Sequence, residues 1–187
     1  KNYPIKKIKT KATGIDLYYG GDSEYFGYDK VVLATHADEA LSIIDNPTDE
    51  EKKILSNYKY KENIAYIHRD EKAMPKNKKA WCSWNSSIKK DEINKNSITY
   101  WLNLLQNLQC EENIFLTLNP YFEIDKSKIF KKVRFTHPYF DQSALNFQSQ
   151  LTKLQNKRNI LFCGSYFGYG FHEDGIKSSI EMLKNLN

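Results

Sequence analysis

Two short apolar runs near opposite ends of the chain, KVVLAT (residues 30–35) and NILFC (159–163), constrain the fold more than any other feature. The first is apolar at four successive positions, the pattern of a strand buried on both faces. The second reads as another buried strand and runs straight into glycine. Neither can build a core alone, and the two can lie side by side in one sheet. What separates them is β-rich: NIAYIHRD, AWCSWNSSI, SITYWLNLLQNL, NIFLTLN and KIFKKVRFTHP are five strand-like runs divided by polar turns such as EKAMPKNKK and KDEINKN. The expectation is a mixed α/β (α+β) fold. The ends of the chain form an α/β layer, and a mostly antiparallel sheet over residues 62–136 is inserted between them. A chain of 187 residues can bury one good core or two small ones.

The flanks carry ordinary signals. PIKKIKT and GIDLYYG read as strands of a meander, with Gly20-Gly21 after the second. HADEALSIID sets Ala37, Ala40, Leu41 and Ile44 at helical spacing and stops at Asn46-Pro47. PTDEEKKILSNY predicts a second helix, with Thr48 as its cap and Glu51 as the capping-box partner. DQSALNFQSQLTKLQ puts Ala144, Phe147, Leu151 and Leu154 on one helical face, and GIKSSIEMLKNL is a final helix. The chain opens on Lys1 and enters a strand-like run almost at once, so the back part of a longer protein is expected.

Most of the chemistry-bearing residues sit in NILFCGSYFGYGFHEDGIKSS, residues 159–179. A strand, a glycine turn and a helix beginning near Asp174-Gly175 would present backbone N–H groups to an anionic or electron-rich ligand. Gly164, Gly168 and Gly170 would let the chain bend and let a ligand approach closely, with Asp174 as the N-cap. His172, Glu173 and Asp174 in a row suit a metal site, an acid/base site or a turn whose backbone does the binding. Metal fits worst and none is expected: adjacent residues on a turn seldom converge on one ion, and the chain has no H-x-x-x-H or C-x-x-C. Cys163 ends an apolar strand and reads as a small buried hydrophobe. His36, His68 and His137 stand alone at element ends, and Arg69 with Asp70 reads as a surface ion pair. Trp81, Trp84, Tyr100 and Trp101 are either core or the lining of a pocket for an apolar or planar ligand.

Composition excludes several classes. Cys82, Cys110 and Cys163 are too few and too scattered for a disulfide or zinc framework, so a reducing cytoplasm is expected. No apolar run approaches the ~18 residues of a membrane span. The net charge of +5 rests on dispersed lysines, and Arg69, Arg134 and Arg158 are the only arginines, so no nucleic-acid partner is expected.

The segments YDKVVLATHADEAL, HRDEKAMPKNKKAWCSWN, TYWLNLLQNL, TLNP and ILFCGSYFGYGFHEDGIKSS resemble, in this order, FAD-dependent amine oxidoreductase-like proteins. These are relatives of monoamine oxidase, protoporphyrinogen oxidase and the carotenoid desaturases. The resemblance covers nearly the whole chain. It implies FAD as cofactor, hydride transfer to the flavin from a substrate C–H or C–N bond, and a small-molecule or lipid-like apolar substrate. By position it implies Ile5 beside the adenine and Gly164 and Ser165 near the ribityl-pyrophosphate. Gly170, Phe171, His172, Glu173, Asp174 and Gly175 would lie along the flavin ring, with Ile176 opening the helix. Trp81, Trp84, Tyr100 and Trp101 would line the substrate pocket, and no catalytic residue is assigned. Residues 1–45 and 141–187 become parts of an FAD-binding domain around a substrate-binding domain at 46–140. The family's G-x-G-x-x-G unit has no counterpart here, since the only glycines before Tyr25 are Gly14, Gly20 and Gly21. The resemblance therefore implies a C-terminal portion, inactive alone, whose partner is an N-terminal dinucleotide-binding segment. Two rival readings are a basic, aromatic β-rich module that binds an extended ligand such as single-stranded nucleic acid, and a metal hydrolase built on the His172 cluster.

Overall fold

Alternating side chains at the N-terminus give an antiparallel meander of β1 (Lys7–Lys11), β2 (Gly14–Gly20) and β3 (Glu24–Tyr28), in that order. Its inner face buries Ile8 and Ile15. The computed structural model describes residues 2–20, 23–90 and 92–186, so Gly21 lies outside the described residues. After β4 (Val31–Leu33) comes α1 (Ala37–Ile43), whose Ala37 and Ala40 are fully buried. Its first N–H, that of Ala37, donates to the Tyr60 hydroxyl at 2.8 Å, and the His36 ring stacks on Tyr60 at 4.2 Å. Helix α2 (Asp49–Leu55) starts as its sequence predicts. The Glu51 N–H donates to Thr48 Oγ1 at 3.1 Å, and the Thr48 N–H donates back to Glu51 Oε2 at 2.7 Å. That buried carboxylate also holds Arg158 at 2.6 Å.

The middle of the chain forms β5 (Lys59–His68), β6 (Trp84–Lys89), β7 (Glu92–Trp101), β8 (Phe115–Leu118) and β9 (Ile129–Tyr139), in sheet order β6-β7-β8-β5-β9. The β6-β7, β7-β8 and β8-β5 pairs are antiparallel. The run after Tyr100 is not all strand: β7 stops at Trp101 and a single turn, α3 (Leu102–Leu105), follows. The segment after residue 140 is likewise not one helix but α4 (Gln142–Gln148) and a 3-10 turn at Leu151–Leu154. Ala144, Leu151 and Leu154 are nonetheless all buried. The chain closes with β10 (Ile160–Phe162) and α5 (His172–Leu183).

The two apolar runs do pair. β10 lies parallel to β4, with Ile160, Leu161 and Phe162 opposite Val31, Val32 and Leu33. One expectation about β4 fails: Leu33 is buried, but Val32 on the opposite face is exposed. Among the described residues the sheet has these two strands, and α5 covers that face through Leu161 and Cys163 of the β10 arm.

The chain divides into two compact units, residues 1–60 with 138–187, and Lys61–His137. These units part at 60/61 and 137/138, whereas the FAD-binding and substrate-binding parts are expected to part at 45/46 and 140/141. The larger shift has a physical cause: Ile54, Leu55 and Tyr58 belong to the core of the first unit, with Ile8, Leu33, Ile160 and Phe162. The second unit packs its sheet around Phe115 and a buried polar line described below. Among the described residues, no helix is long and apolar enough to cross a membrane.

Candidate functional site

The strand–turn–helix segment is held together by its own backbone and two side chains. From β10 the chain makes a 3-10 turn at Ser165–Phe167, and the N–H groups of Gly168 and Gly170 both donate to the Ser165 carbonyl at 3.1 Å. Gly170 sits at φ +91°, a conformation that a side chain would strain. The Gly164 N–H donates to Ser178 Oγ at 2.9 Å, and that hydroxyl donates to the Gly175 carbonyl at 2.8 Å. This ties the end of β10 to the second turn of α5. Gln148, at the end of α4, donates to the Gly168 carbonyl at 2.5 Å.

Helix α5 starts earlier than expected. His172 is its first residue, Phe171 is the N-cap, and Asp174 stands in the third position rather than at the cap. From there Asp174 Oδ2 accepts the N–H of Tyr169 at 2.9 Å and that of Phe171 at 3.0 Å. The carboxylate thus folds the aromatic turn back onto the helix start, and its charge lies at the positive end of the helix dipole. Gly168 is required by the same clamp, because a Cβ there would overlap the Asp174 carboxyl. So Asp174 is used through its side chain, as a structural clamp.

The other residues of the segment face outward. Phe171, His172, Glu173 and Ile176 are exposed, and Gly164, Ser165, Gly170 and Gly175 are half-buried. Glu173 lies 3.8 Å from Lys177. Gly175 differs from Gly164 and Gly168, whose added Cβ would strike a neighbouring side chain of the chain itself. At Gly175 the nearest atom is the Ser165 nitrogen at 3.8 Å, an ordinary contact. The chain's own packing therefore does not explain the bare backbone at this point of the helix mouth. Ile5 lies just before β1, with its side chain packed on the core of the first unit. Among the described residues, no three of His, Cys, Asp and Glu converge as a metal would require.

The four aromatics of the second unit do not gather. Register puts Trp84 opposite Tyr100 on one face of the sheet, with ring centroids 5.0 Å apart. Trp101, the next residue along, points to the other face, where it packs against Trp81 at 5.3 Å. Trp81, half-buried, also donates its indole N–H to the Pro75 carbonyl at 2.8 Å and packs on buried Phe115. Trp84 and Tyr100 thus share one face with Ile98, Leu116 and Leu118, and Trp81 and Trp101 share the other. A 440 Å³ cavity in this unit lies elsewhere, lined by Lys61, Lys89, Lys95, Asn96, Asn119 and Tyr121 among others.

Two polar groupings escaped the sequence reading. Asp70 is buried and does not pair with Arg69, so the expected surface pair is absent. Arg69 binds Glu112 at 2.7 Å, while Asp70 accepts from Lys128 Nζ at 3.2 Å and from the Asp125 N–H at 3.1 Å. Burial alone would push the Asp70 carboxyl up, but the Asp125 N–H, Lys128 and the Lys72 N–H outweigh it and hold it below its ordinary value. His68 is fully buried. Its Nδ1 accepts the Asp70 N–H at 3.0 Å, so Nε2 carries the proton and donates to Thr117 Oγ1 at 2.7 Å. Thr117 in turn bonds Thr99 at 2.9 Å. His68 is therefore structural, and its fixed tautomer links three adjacent strands.

No family model and no curated protein matches the chain. Solved structures do match it in fold. A CLA-producing fatty acid isomerase from P. acnes superposes with a TM-score of 0.62 at 13% identity, over 96% of this chain and 46% of its own. Cyclohexylamine oxidase from Brevibacterium oxydans gives 0.60 at 9%, over 98% and 48%. A putrescine oxidase bound to putrescine gives 0.62 at 11%, over 98% and 48%. The chain thus has the fold of part of these enzymes and spans about half their length. A shared fold that serves both an isomerase and oxidases does not by itself fix the reaction.

Proposed function

We propose that this chain is the C-terminal portion of an FAD-dependent oxidoreductase of the amine oxidase and desaturase kind. The observation that carries the reading is the helix mouth: β10, a turn clamped by Asp174, and a glycine at 175 that the chain's own packing does not require, set in a fold shared with oxidases. Bound FAD would accept a hydride from a substrate C–H or C–N bond. The chain's own residues would bind and orient. Gly164 and Ser165 offer backbone at the end of β10, and Ile5 offers backbone ahead of β1. The first-turn N–H groups at His172 and Glu173 favour negative charge beside them. Asp174 would be a positioning residue, its Oδ2 already accepting two N–H groups of the turn. Trp84 and Tyr100 supply an aromatic wall suited to an apolar or lipid-like substrate, in keeping with the fatty acid named for one fold neighbour and the amines named for the others. Residues 1–60 and 138–187 would be the FAD-binding part and Lys61–His137 the substrate-binding part, in a protein of the reducing cytoplasm with free thiols at Cys82, Cys110 and Cys163.

The test is Gly175→Val in the protein translated from the complete reading frame. A Cβ at Gly175 would meet no atom outside the helix closer than 3.8 Å. The thermal midpoint of the apoprotein should therefore move by less than about 3 °C, while flavin absorbance per mole of protein falls sharply. Unchanged flavin content, or a colourless parent protein, would overturn the assignment.

A further inference from the structure

An edge strand carries unpaired N–H and C=O groups that will accept a further strand from any chain that offers one. The edges in this protein are guarded unequally. At β1 the outer side is occupied: Ile8 bridges Ile44, and the Asp45 N–H donates to the Ile8 carbonyl at 2.8 Å. At the edge strand β9, Lys131, Lys132 and Arg134 supply the charges that keep a foreign strand away. β3 is the other edge of the meander, and among the described residues nothing pairs with its outer side. Its five residues, Glu24–Tyr28, are all exposed and include no lysine, arginine or proline. The irregularity in its ladder lies at its start, opposite Tyr18 and Gly20, and the rest of the strand is regular.

This bare edge is also aromatic. Phe26 and Tyr28 share a face with Leu17 and Ile15, and Phe26 packs against Tyr19 at 4.7 Å and Tyr3 at 5.5 Å. Tyr25 lies on the other face, where Lys11 Nζ stands 5.2 Å from its ring centre. The sequence around the strand, EYFGYDK, mirrors itself about Gly27. If a second copy is laid antiparallel with Gly27 against Gly27, Phe26 meets Tyr28, Tyr25 meets Asp29 and Glu24 meets Lys30. Aromatic pairs and opposite charges set directly across from each other are the cross-strand pairs that stabilise a sheet. A two-fold axis makes each of them twice. It also carries Asp29 of one copy towards Lys11 of the other.

We propose that β3 is a homodimerisation edge: two copies of this chain pair β3 with β3, antiparallel about Gly27, and their meanders join into one continuous sheet. The occupant is a second copy because the mirrored order of aromatic and charged residues is complementary only to itself. A strand from elsewhere would use the same backbone groups without needing that order. The direction agrees as well. A two-fold axis through a sheet edge pairs the strands antiparallel, which is how β1, β2 and β3 already run. The inference does not depend on the cofactor assignment.

The experiment is charge exchange, read by sedimentation velocity on the protein translated from the complete reading frame. The parent should be a dimer at micromolar concentration. Glu24→Lys sets lysine against Lys30 on both sides of the axis, and Lys30→Glu sets glutamate against Glu24. Each single variant should dimerise at least about tenfold more weakly than the parent. Mixed in equal amounts, the two variants face each other with opposite charges at both sites. The mixture, and the double variant Glu24→Lys/Lys30→Glu, should return to within about threefold of the parent's dissociation constant. Lys30 Nζ also donates to the Leu186 carbonyl, and a weakening due only to that loss would persist in the mixture. A monomeric parent overturns the proposal, and is what a segment of the same chain seated on β3 would give. Single variants that dimerise like the parent overturn it by placing the interface elsewhere, and single variants that stay apart when mixed overturn it too. Flavin content should be the same in every variant, so failure here leaves the cofactor assignment standing.

Discussion

Burial pushes the His68 imidazole down to about 4, against the pull of nearby Asp70. Between the ordinary histidine value near 6.5 and that figure, the unfolded chain binds a proton that the folded chain refuses. Stability contributed by this residue is therefore complete above about pH 6.5, declines as the pH falls, and is gone below about 4. The loss should be on the order of 3 kcal/mol, read as a falling urea midpoint across that window. The ring protons of His68 should show no titration above pH 5.5 or so by NMR. A midpoint that holds steady from pH 6.5 to 4 would mean that the ring is not buried as a neutral acceptor. None of this was legible in the sequence. His68 stands among ordinary strand residues, and its hydroxyl partner Thr117 is 49 positions away. Only strand register brings the two together, and register depends on pairings that no local pattern encodes.

At the scale of elements, the start of α5 makes the sharpest demand. Asp174 takes two N–H groups of the turn that precedes it. Asp174→Ala should cost about 1–2 kcal/mol by urea denaturation and speed amide exchange at Tyr169 and Phe171. Asp174→Asn should keep more than half of that stability, because both bonds end on a single oxygen that an amide carbonyl can replace. Equal losses in the two variants would show that charge at the helix dipole matters more than the bonds. Helix starts with a local cap were readable: Thr48 and Glu51 hold α2 as their spacing implies. The start of α5 was misplaced because its acidic residue acts from the third position, with a phenylalanine at the cap. The aromatic runs were readable as strands, but which face each ring takes was not. Trp101 and Tyr100, adjacent in sequence, end on opposite sides of the sheet.

The whole molecule is one unit interrupted by another, and this was legible from two apolar runs with a β-rich stretch between them. The boundaries were less so, since α2 reads as a free-standing helix until its packing is known. The interruption predicts a simple dissection. The ends of the first unit lie close at the junction, where Lys59 Nζ and Asp141 Oδ2 are 2.8 Å apart. Replacing Lys61–His137 by a short glycine-serine linker should leave a domain that melts cooperatively with native far-ultraviolet dichroism. A broad, non-cooperative melt would show that the first core depends on the inserted sheet. The pairing of β4 with β10 also fixes an order of events during synthesis. At ribosomal rates of ~5–20 residues per second, β4 emerges on the order of ten seconds before its partner strand exists. The inserted sheet, complete in one stretch of chain, can fold in that interval, while the meander, α1 and α2 wait with their apolar faces bare. In the cell that interval is the opening for chaperone capture or misassembly, and it closes only when β10 and α5 leave the ribosome.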